Sequence, residues 1–551
     1  MDTTSCCACA ALRTRDSMSA IGSVMVIVVT VAFLVAVPIH RVTCNAEAFR
    51  VAFSAWSVGG YSRCPHSIAR AARRLPCTRS ASWRGACNKV GCSNVLRTAH
   101  AESSARKSEG VTYRFPGTIS KSLIDANLRP PRRQRPLRLP CMEPALAQLI
   151  GTLDATRQAR EALYVWFHQH PELSLQELQT TSKIRSRLDA LQLSHMQVGE
   201  TGTVCVLENG PGPVVAIRAD IDGLPVQERS GKPYASTATQ IDAVSGHEEH
   251  VAHACGHDFH IMGVLGALEA FADNLDCWNG TLVAVFQPAE EAYAGSRVML
   301  ANGVREAMPK PDVYLGQHVL PMLPAGFVGT HPGPFMSQAF SAHIEVWGKG
   351  THGSMPEKGV DPILLASNIV TRLHTVVARE IEAKDTAVLT VGALHAGVKA
   401  NVIPETAELR VNTRAYTREV SDKLRSAIIR IVRGECIAAG SPREPKITFY
   451  DEYPLTDNNP VTTSRVRDAF DAYFGDGAID LDRIPASEDF SIIPDALGVP
   501  YTYWGVGGFA DWESAPGNHS PTFAPDLQPT LDRAAEAMIV AAAAWLVDGA
   551  A

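Results

Sequence analysis

The residues His250-Val251-Ala252-His253-Ala254-Cys255-Gly256-His257-Asp258-Phe259-His260 form a dense group of side chains that can bind metals. Four histidines, one cysteine and one aspartate fall within these eleven residues. Cys255 and His257 are separated only by Gly256, so a thiolate and an imidazole can reach the same small volume. A polar turn with solvated histidines is the alternative interpretation. Because two or three ligands do not hold a metal, the remaining ligands must come from other parts of the chain.

Charge and cysteine content divide the 551-residue chain into two unlike parts. Residues 1–141 contain 21 Lys and Arg against 6 Asp and Glu, whereas residues 142–551 contain 30 against 51. The first part is therefore basic (+15) and the second acidic (−21), which together give the net charge of −6. Nine of the 13 cysteines lie at or before Cys141. The acidic second part, with few cysteines, is typical of a cytoplasmic protein.

Residues 1–141 are predicted to be a disordered or non-native extension, apart from an apolar segment at residues 20–38. That segment is long enough to cross a bilayer, or it belongs to a signal peptide that ends near Ala46-Glu47-Ala48. A third interpretation is that the extension is not native and that the protein starts at Met142. A membrane is a partner only if the apolar segment belongs to the protein. The basic tract has no interleaved aromatic residues, so we expect no nucleic-acid binding.

Acidic residues follow two apolar runs that suit buried strands. The run Val214–Arg218 leads into Asp220 and Asp222, at the end of a strand, where open α/β sheets keep their sites. Either aspartate can be a metal ligand, or can hold a ligating histidine by its second ring nitrogen. The second run leads into Glu290 and Glu291. Adjacent carboxylates point in different directions, so one can bind a metal while the other handles protons.

Two further histidines complete the predicted ligand set. His318 follows a short predicted strand at Val313–Gly316, and His519 lies in a polar loop before the last helix. The full set is Cys255, His257, Glu291, His318 and His519. Five protein ligands exceed the four of a tetrahedral zinc site, and so predict a pair of divalent metal ions with open positions for water and substrate. A thiolate favours zinc, whereas carboxylate and imidazole ligands accept manganese or cobalt.

The order of elements predicts an α/β protein into which a second unit is inserted. Residues 142–335 and 453–551 are expected to form the larger domain, and residues 336–452 the insertion. The predicted order within the insertion is β-α-β-β-α-β, which is that of a ferredoxin-like α+β unit. Three polar residues of this unit are candidates for function, namely His352 in a glycine-rich loop, Asn401 and Arg414.

These motifs resemble the dinuclear-metal N-acyl-amino-acid amidohydrolases, which include aminoacylases, hippurate hydrolase and plant auxin-conjugate hydrolases. The resemblance runs from about residue 145 to the C-terminus with its motifs in family order, and residues 1–141 have no counterpart in it. The matching segments are Cys255-Gly256-His257-Asp258, Pro288-Ala289-Glu290-Glu291, His318, the loop at His352, Asn401-Val402-Ile403-Pro404, Ser487-Glu488-Asp489-Phe490 and His519-Ser520-Pro521.

The resemblance implies a zinc-peptidase-like catalytic domain with two metal ions and an inserted lid domain that dimerises. By motif, the five ligands named above bind the metals, Glu290 is the general base, and Asp222 supports the metal site. His352 would donate to the oxyanion in the active site of the partner subunit, and Asn401 and Arg414 would hold the amide and the carboxylate of the substrate. Relatives often use manganese, which is therefore expected over zinc or cobalt.

The function that the resemblance implies is hydrolysis of the amide bond of N-acyl-L-amino acids, such as hippurate, to a carboxylic acid and a free amino acid. A dipeptidase or carboxypeptidase of the same superfamily is the alternative, since a short peptide presents the same amide and carboxylate. A non-catalytic metal-bound binding protein is a further alternative, but the intact Glu290 argues against it. Two departures from the family pattern, Ser491-Ile492 and Val411-Asn412, leave the preferred acyl group open.

Overall fold

The computed structural model describes residues 142–547, without the side chains of Met142 and Glu143. The expectations for residues 1–141, including the apolar segment at residues 20–38, lie outside the described residues. Within residues 142–547, no helix combines the length and the apolar character that a membrane span requires.

The helices begin where the sequence supplies caps. Two of them start with a proline, directly after Asp361 and Asn459, whose side chains accept the free backbone N–H groups of the first turn. The α-helices of the described residues are α1 (Met142–Gln169), α2 (Leu178–Ala190), α3 (His257–Asp273), α4 (Gly295–Ala301), α5 (Pro362–Glu380), α6 (Arg418–Ala439), α7 (Pro460–Phe474), α8 (Ile492–Leu497) and α9 (Leu527–Leu546).

The strands fall into two larger sheets and three short pairs. The strands of the described residues are β1 (His195–Val198), β2 (Gly202–Asn209), β3 (Val214–Asp220), β4 (Thr239–Ile241), β5 (Glu248–His250), β6 (Gly280–Gln287), β7 (Val313–Pro324), β8 (Val328–Thr330), β9 (Gly333–Met336), β10 (Gln338–Trp347), β11 (Thr351–His352), β12 (Ala387–Ala396), β13 (Val402–Ile403), β14 (Thr406–Ala415), β15 (Lys446–Tyr453), β16 (Thr456–Asn458), β17 (Ala478–Asp480) and β18 (Tyr501–Phe509).

The main sheet has the strand order β1-β2-β6-β3-β7-β18-β8-β17. Its centre, β6, β3, β7 and β18, is parallel. Strands β3 and β6 are buried on both faces, which explains why their sequences are continuous apolar runs. Helices α1, α3 and α9 cover one face and enclose a core that includes Phe259 and Trp504. A second core, around Tyr314 and Phe490, lies on the other face. The mixed α/β architecture predicted from the sequence is confirmed.

The second sheet is antiparallel, with the strand order β12-β14-β10-β15. Helices α5 and α6 pack against one face and enclose a separate apolar core. Alternate residues of β10, Ala342, Ile344 and Val346, point into this core. The intervening residues, such as Ser341 and His343, therefore lie on the face without helices, which we call the open face.

Two features of the main sheet differ from the prediction. Strand β7 continues to Pro324, so that His318 lies within the strand, opposite Gly505, and not beyond its end. Strand β18 was not predicted, because Gly505, Gly507 and Gly508 weaken the strand pattern of its sequence. These glycines are required by close packing, since a Cβ atom at Gly507 would lie 1.8 Å from the Pro324 carbonyl oxygen.

Candidate active site

The candidate site lies at the edge of the main sheet where the parallel strands end. The segments that follow β3 and β6, strand β7, the start of α3 and the loop after β18 all contribute side chains there. Gly256 precedes α3 with a φ of 83°, a conformation that residues with a side chain rarely adopt. This tight turn lets the side chains before and after it point into the same space. The side chains that meet there are Asp222, Cys255, His257, Glu290, Glu291, His318 and His519.

The predicted metal ligands form two overlapping groups. One ligand atom each from Cys255, His257 and His318 lie within 4.8 Å of one another, and the same holds for Cys255, Glu291 and His519. Cys255 Sγ lies 3.4 Å from His318 Nε2, and Glu291 Oε1 lies 3.2 Å from His519 Nε2. Cys255 belongs to both groups. The structure thus brings all five residues together.

Two histidines of these groups are held in place by a hydrogen bond at Nδ1, the ring nitrogen that points away from the other candidate ligands. His257 Nδ1 lies 3.0 Å from the Asp222 carbonyl oxygen, and His318 Nδ1 lies 2.8 Å from the Val319 carbonyl oxygen. A carbonyl oxygen only accepts, so Nδ1 carries a proton, and in the neutral ring the lone pair is then on Nε2. This is the tautomer that an Nε2 metal ligand needs.

The chemistry of the donor set fits divalent metal ions. Among the described residues, His257 Nε2 and Glu291 Oε1 are buried without a hydrogen-bond partner, although His519 Nε2 lies 3.2 Å from the latter. Burial and the charge of His260 hold the pKa of His318 well below its usual value, so this imidazole is neutral. Burial and the Glu291 carboxylate raise the pKa of Cys255, so a bound cation is needed to keep its thiolate.

Glu290 lies between the ligand groups and a second acidic cluster. One oxygen atom of Glu290 is within 4.8 Å of ligand atoms of His257 and Glu291. An oxygen atom of Glu290 is also within 4.8 Å of carboxylate oxygen atoms of Glu488 and Asp489. Burial, followed by the charges of Glu488 and Glu291, raises the pKa of Glu290 well above its ordinary value. A buried carboxylate with a raised pKa is suited to accept a proton.

A buried arginine, to which the sequence analysis gave no role, ties the acidic residues together. The Arg218 side chain donates from Nη1 to Asp220 and from Nη2 to Glu488 and Asp489, at 2.5, 2.9 and 3.0 Å. Asp220 in turn accepts from His260 Nδ1. The sequence does contain a signal for this network, because an arginine inside an apolar strand must be paired when it is buried.

The three candidate residues of the predicted insertion differ in position. His352 and Asn401 are exposed, on or beside the paired strands β11 and β13, and the His352 ring lies 2.7 Å from the Ser354 hydroxyl. Within residues 142–547, no hydrogen bond or ion pair joins either of them to the ligand groups. Arg414, by contrast, donates from Nη1 to Ser487 Oγ at 2.5 Å, directly before the second acidic cluster.

An α/β fold whose sheet edge brings together candidate metal ligands and a buried glutamate is the arrangement expected of a metal-dependent hydrolase. The chain belongs to Peptidase family M20/M25/M40, whose sequence profile matches residues 216–542. The resemblance to amidohydrolases predicted from the motifs is thereby confirmed.

Known members of the family are about one third identical to this chain. N-acetylcysteine deacetylase of Bacillus subtilis (strain 168) is 33% identical over 377 residues, which cover 68% of this chain and 91% of that protein. Hippurate hydrolase of Campylobacter jejuni subsp. jejuni is 33% identical over 340 residues, covering 61% and 85%. A crystal structure from Bacillus subtilis, described as a dinuclear metal binding peptidase of the M20 family, superposes with a TM-score of 0.58 at 28% identity, covering 70% of this chain and 98% of that one.

Proposed function

We propose that this protein hydrolyses the amide bond of N-acyl-L-amino acids, releasing a carboxylic acid and a free amino acid. The observation that carries the proposal is the convergence of five metal-binding side chains next to the buried Glu290. The similarity to a deacetylase and to a hippurate hydrolase supports the same class of substrate.

The five convergent residues would hold two divalent metal ions, with Cys255 shared between the two groups. When bound, such ions polarise the amide carbonyl and lower the pKa of water. Glu290 would take a proton from the attacking water and pass it to the leaving nitrogen. Asp222 would keep His257 in the required tautomer. We propose manganese as the metal, with zinc or cobalt as alternatives, because imidazole and carboxylate ligands accept all three.

The working unit that we propose is a homodimer formed through the second sheet. His352 and Asn401 are exposed in the single chain and form no hydrogen bond or ion pair with its ligand groups among the described residues, so they are available to a second copy. Strand β12 is an edge strand with exposed Val388 and Leu394, which favours association between sheets. In the dimer His352 would donate to the oxyanion in the partner's site, and Asn401 would hold the amide.

The proposed substrate carries a free carboxylate, which Arg414 would bind. Its guanidinium group is half-buried and reaches the edge of the acidic cluster, where it contacts Ser487.

For the cell compartment we propose the cytoplasm, because the four cysteines of the described residues are all free thiols.

Metal analysis combined with an amidase assay tests the proposed function. We expect the purified full-length chain to contain about two divalent ions and to release benzoate from N-benzoylglycine in a metal-dependent reaction. Metal-loaded protein without amide hydrolysis would contradict the proposal and favour a binding protein. Cleavage of dipeptides in preference to N-acyl-amino acids would instead assign the chain to the dipeptidases or carboxypeptidases of the family.

A further inference from the structure

Tyr453 lies beside Arg414 on the open face of the second sheet. Ala339 of β10 is opposite Arg414 of β14 on one side and opposite Tyr453 of β15 on the other. Directly opposed residues of antiparallel strands carry their side chains on the same face of a sheet. The tyrosine and the arginine therefore flank a small residue on the face without helices.

A β-bulge gives Tyr453 this orientation. Tyr450 is opposite Ser341 and Tyr453 is opposite Ala339, so β15 contains one residue more than β10 between these pairs. Asp451, within the bulge, has a φ of 48°, which is a strained value for a residue other than glycine. Without the extra residue, Glu452 would lie opposite Ala339. Bulges commonly re-aim a side chain near a functional site, and here the side chain is that of Tyr453.

The ring of Tyr453 packs against the turn that carries Glu290. It packs against the Tyr293 ring in a tilted arrangement, with a centroid distance of 3.9 Å and an interplanar angle of 34°. The Tyr293 N–H donates to the Glu290 carbonyl oxygen at 2.8 Å, and Tyr293 itself has a φ of 56°. Arg297 donates to the Tyr293 hydroxyl at 2.6 Å and to the Glu452 carbonyl oxygen at 3.1 Å, which fixes the pair.

The hydroxyl groups of these two tyrosine rings have different environments. The Tyr293 hydroxyl is bound to Arg297, whereas the half-buried Tyr453 hydroxyl makes no hydrogen bond with any residue in the described part of the chain. Burial and the carboxylates of Glu290 and Glu291 raise the pKa of Tyr453, so the phenol remains protonated. A protonated hydroxyl without a partner, on the same face of the sheet as a guanidinium group, is suited to donate to an anion.

We propose that Tyr453 donates a hydrogen bond to the carboxylate of the substrate and, together with Arg414, selects acylated amino acids over their uncharged amides. A carboxylate has two oxygen atoms, so one can face the guanidinium group while the other accepts from the phenol. Tyr293 and Arg297 act as positioning residues for the phenol ring. This inference rests on the proposed hydrolysis of N-acyl-amino acids and extends it to the recognition of the carboxylate.

The test compares N-benzoylglycine with N-benzoylglycinamide on the metal-loaded full-length protein. In Tyr453→Phe we expect kcat/KM for N-benzoylglycine to fall about ten- to hundredfold, the range for a hydrogen bond to a charged group, mainly through KM. The value for N-benzoylglycinamide should stay at the wild-type level. The matched control is Tyr450→Phe, which removes a phenol from the same strand and face, and we expect it to keep the wild-type preference.

Three results would overturn the inference. These are an unchanged preference in Tyr453→Phe, an equal loss for both substrates, or the same loss of preference in Tyr450→Phe. Binding of the two compounds, measured by calorimetry, gives a second test that needs no turnover, and the carboxylate selectivity should again be lost in Tyr453→Phe. A wild-type chain that binds N-benzoylglycine selectively but does not hydrolyse it would refute the proposed function and leave the recognition by Tyr453 intact.

Discussion

Asp222 holds His257 through two oxygen atoms, its carbonyl oxygen at 3.0 Å and its Oδ1 at 3.3 Å from the imidazole Nδ1. The same carboxylate accepts the backbone N–H groups of Glu290 and Glu291 at 3.2 and 3.0 Å. One buried residue therefore contacts both the Nδ1 atom of a predicted metal ligand and the turn that carries the predicted base.

Replacement of Asp222 by asparagine should weaken metal binding. The amide side chain would offer one accepting oxygen instead of two, so one N–H group of the turn would lose its partner. We expect metal affinity to fall about 10- to 100-fold, as for other residues that orient metal ligands. Competition with a chelator measures the affinity. Ser174→Ala is the matched control, because Ser174 donates to Asp222 at 2.6 Å without touching a predicted ligand. Equal affinities in Asp222→Asn and wild type would contradict the prediction.

The change Glu290→Gln should separate catalysis from metal binding. The amide keeps the size of the side chain but cannot accept the proton of the attacking water, so we expect kcat to fall about 10²- to 10⁴-fold. Elemental analysis should show the wild-type metal content, whereas Glu291→Gln should lose metal because it removes a predicted ligand. A Glu290→Gln variant with wild-type turnover would remove Glu290 from the role of base.

Mixed dimers should show whether His352 acts in the partner subunit. We expect His352→Ala to lose about 10²- to 10³-fold in kcat through loss of an oxyanion donor, with the dimer intact. When His352→Ala and Glu290→Gln chains are co-refolded, half of the dimers are mixed, and one of the two sites in each has both residues intact. Activity should then recover to about a quarter of the wild-type value. No recovery in dimers shown to be mixed would place His352 in the site of its own chain.

His168 should make the stability of the protein depend on pH. Burial alone would lower its pKa, but hydrogen bonds to Asp258 at 2.7 Å and Glu228 at 3.1 Å raise it from 6.5 to about 9. Because the pKa is higher in the folded state, the contribution is complete below pH 6.5 and is lost as the pH rises towards 9. It amounts to about 3 kcal/mol. The free energy of unfolding of metal-saturated wild-type protein, minus that of His168→Gln, should therefore shrink over this range. A difference independent of pH would contradict the prediction.

Local sequence patterns predicted the ligands and most elements of the fold. The spacing of Cys255 and His257 around Gly256 indicates a metal site, because a turn at the glycine lets both side chains point into the same small space. The apolar runs before Asp220 and Glu290 predict buried parallel strands, whose ends share one edge of a sheet. The roles of the candidate residues in catalysis remain predictions that the experiments above address.

Other parts of the site depend on contacts that no local pattern encodes. Arg218 and Glu488 are 270 residues apart in the chain and meet only because the sheet and the loop after β17 pack together. A single extra residue in β15 decides that Tyr453, and not Glu452, lies on the same face as Arg414.

The sequence by itself determined which residues can bind metal and most of the segments that form strands and helices, because those properties follow from side-chain chemistry and from the period of the backbone. The tertiary structure decided which distant carboxylates surround Arg218, that His318 lies inside β7, and that His352 and Asn401 are exposed on or beside the paired strands β11 and β13. These features depend on strand register and on the packing of whole elements, which are set by contacts between residues far apart in the chain.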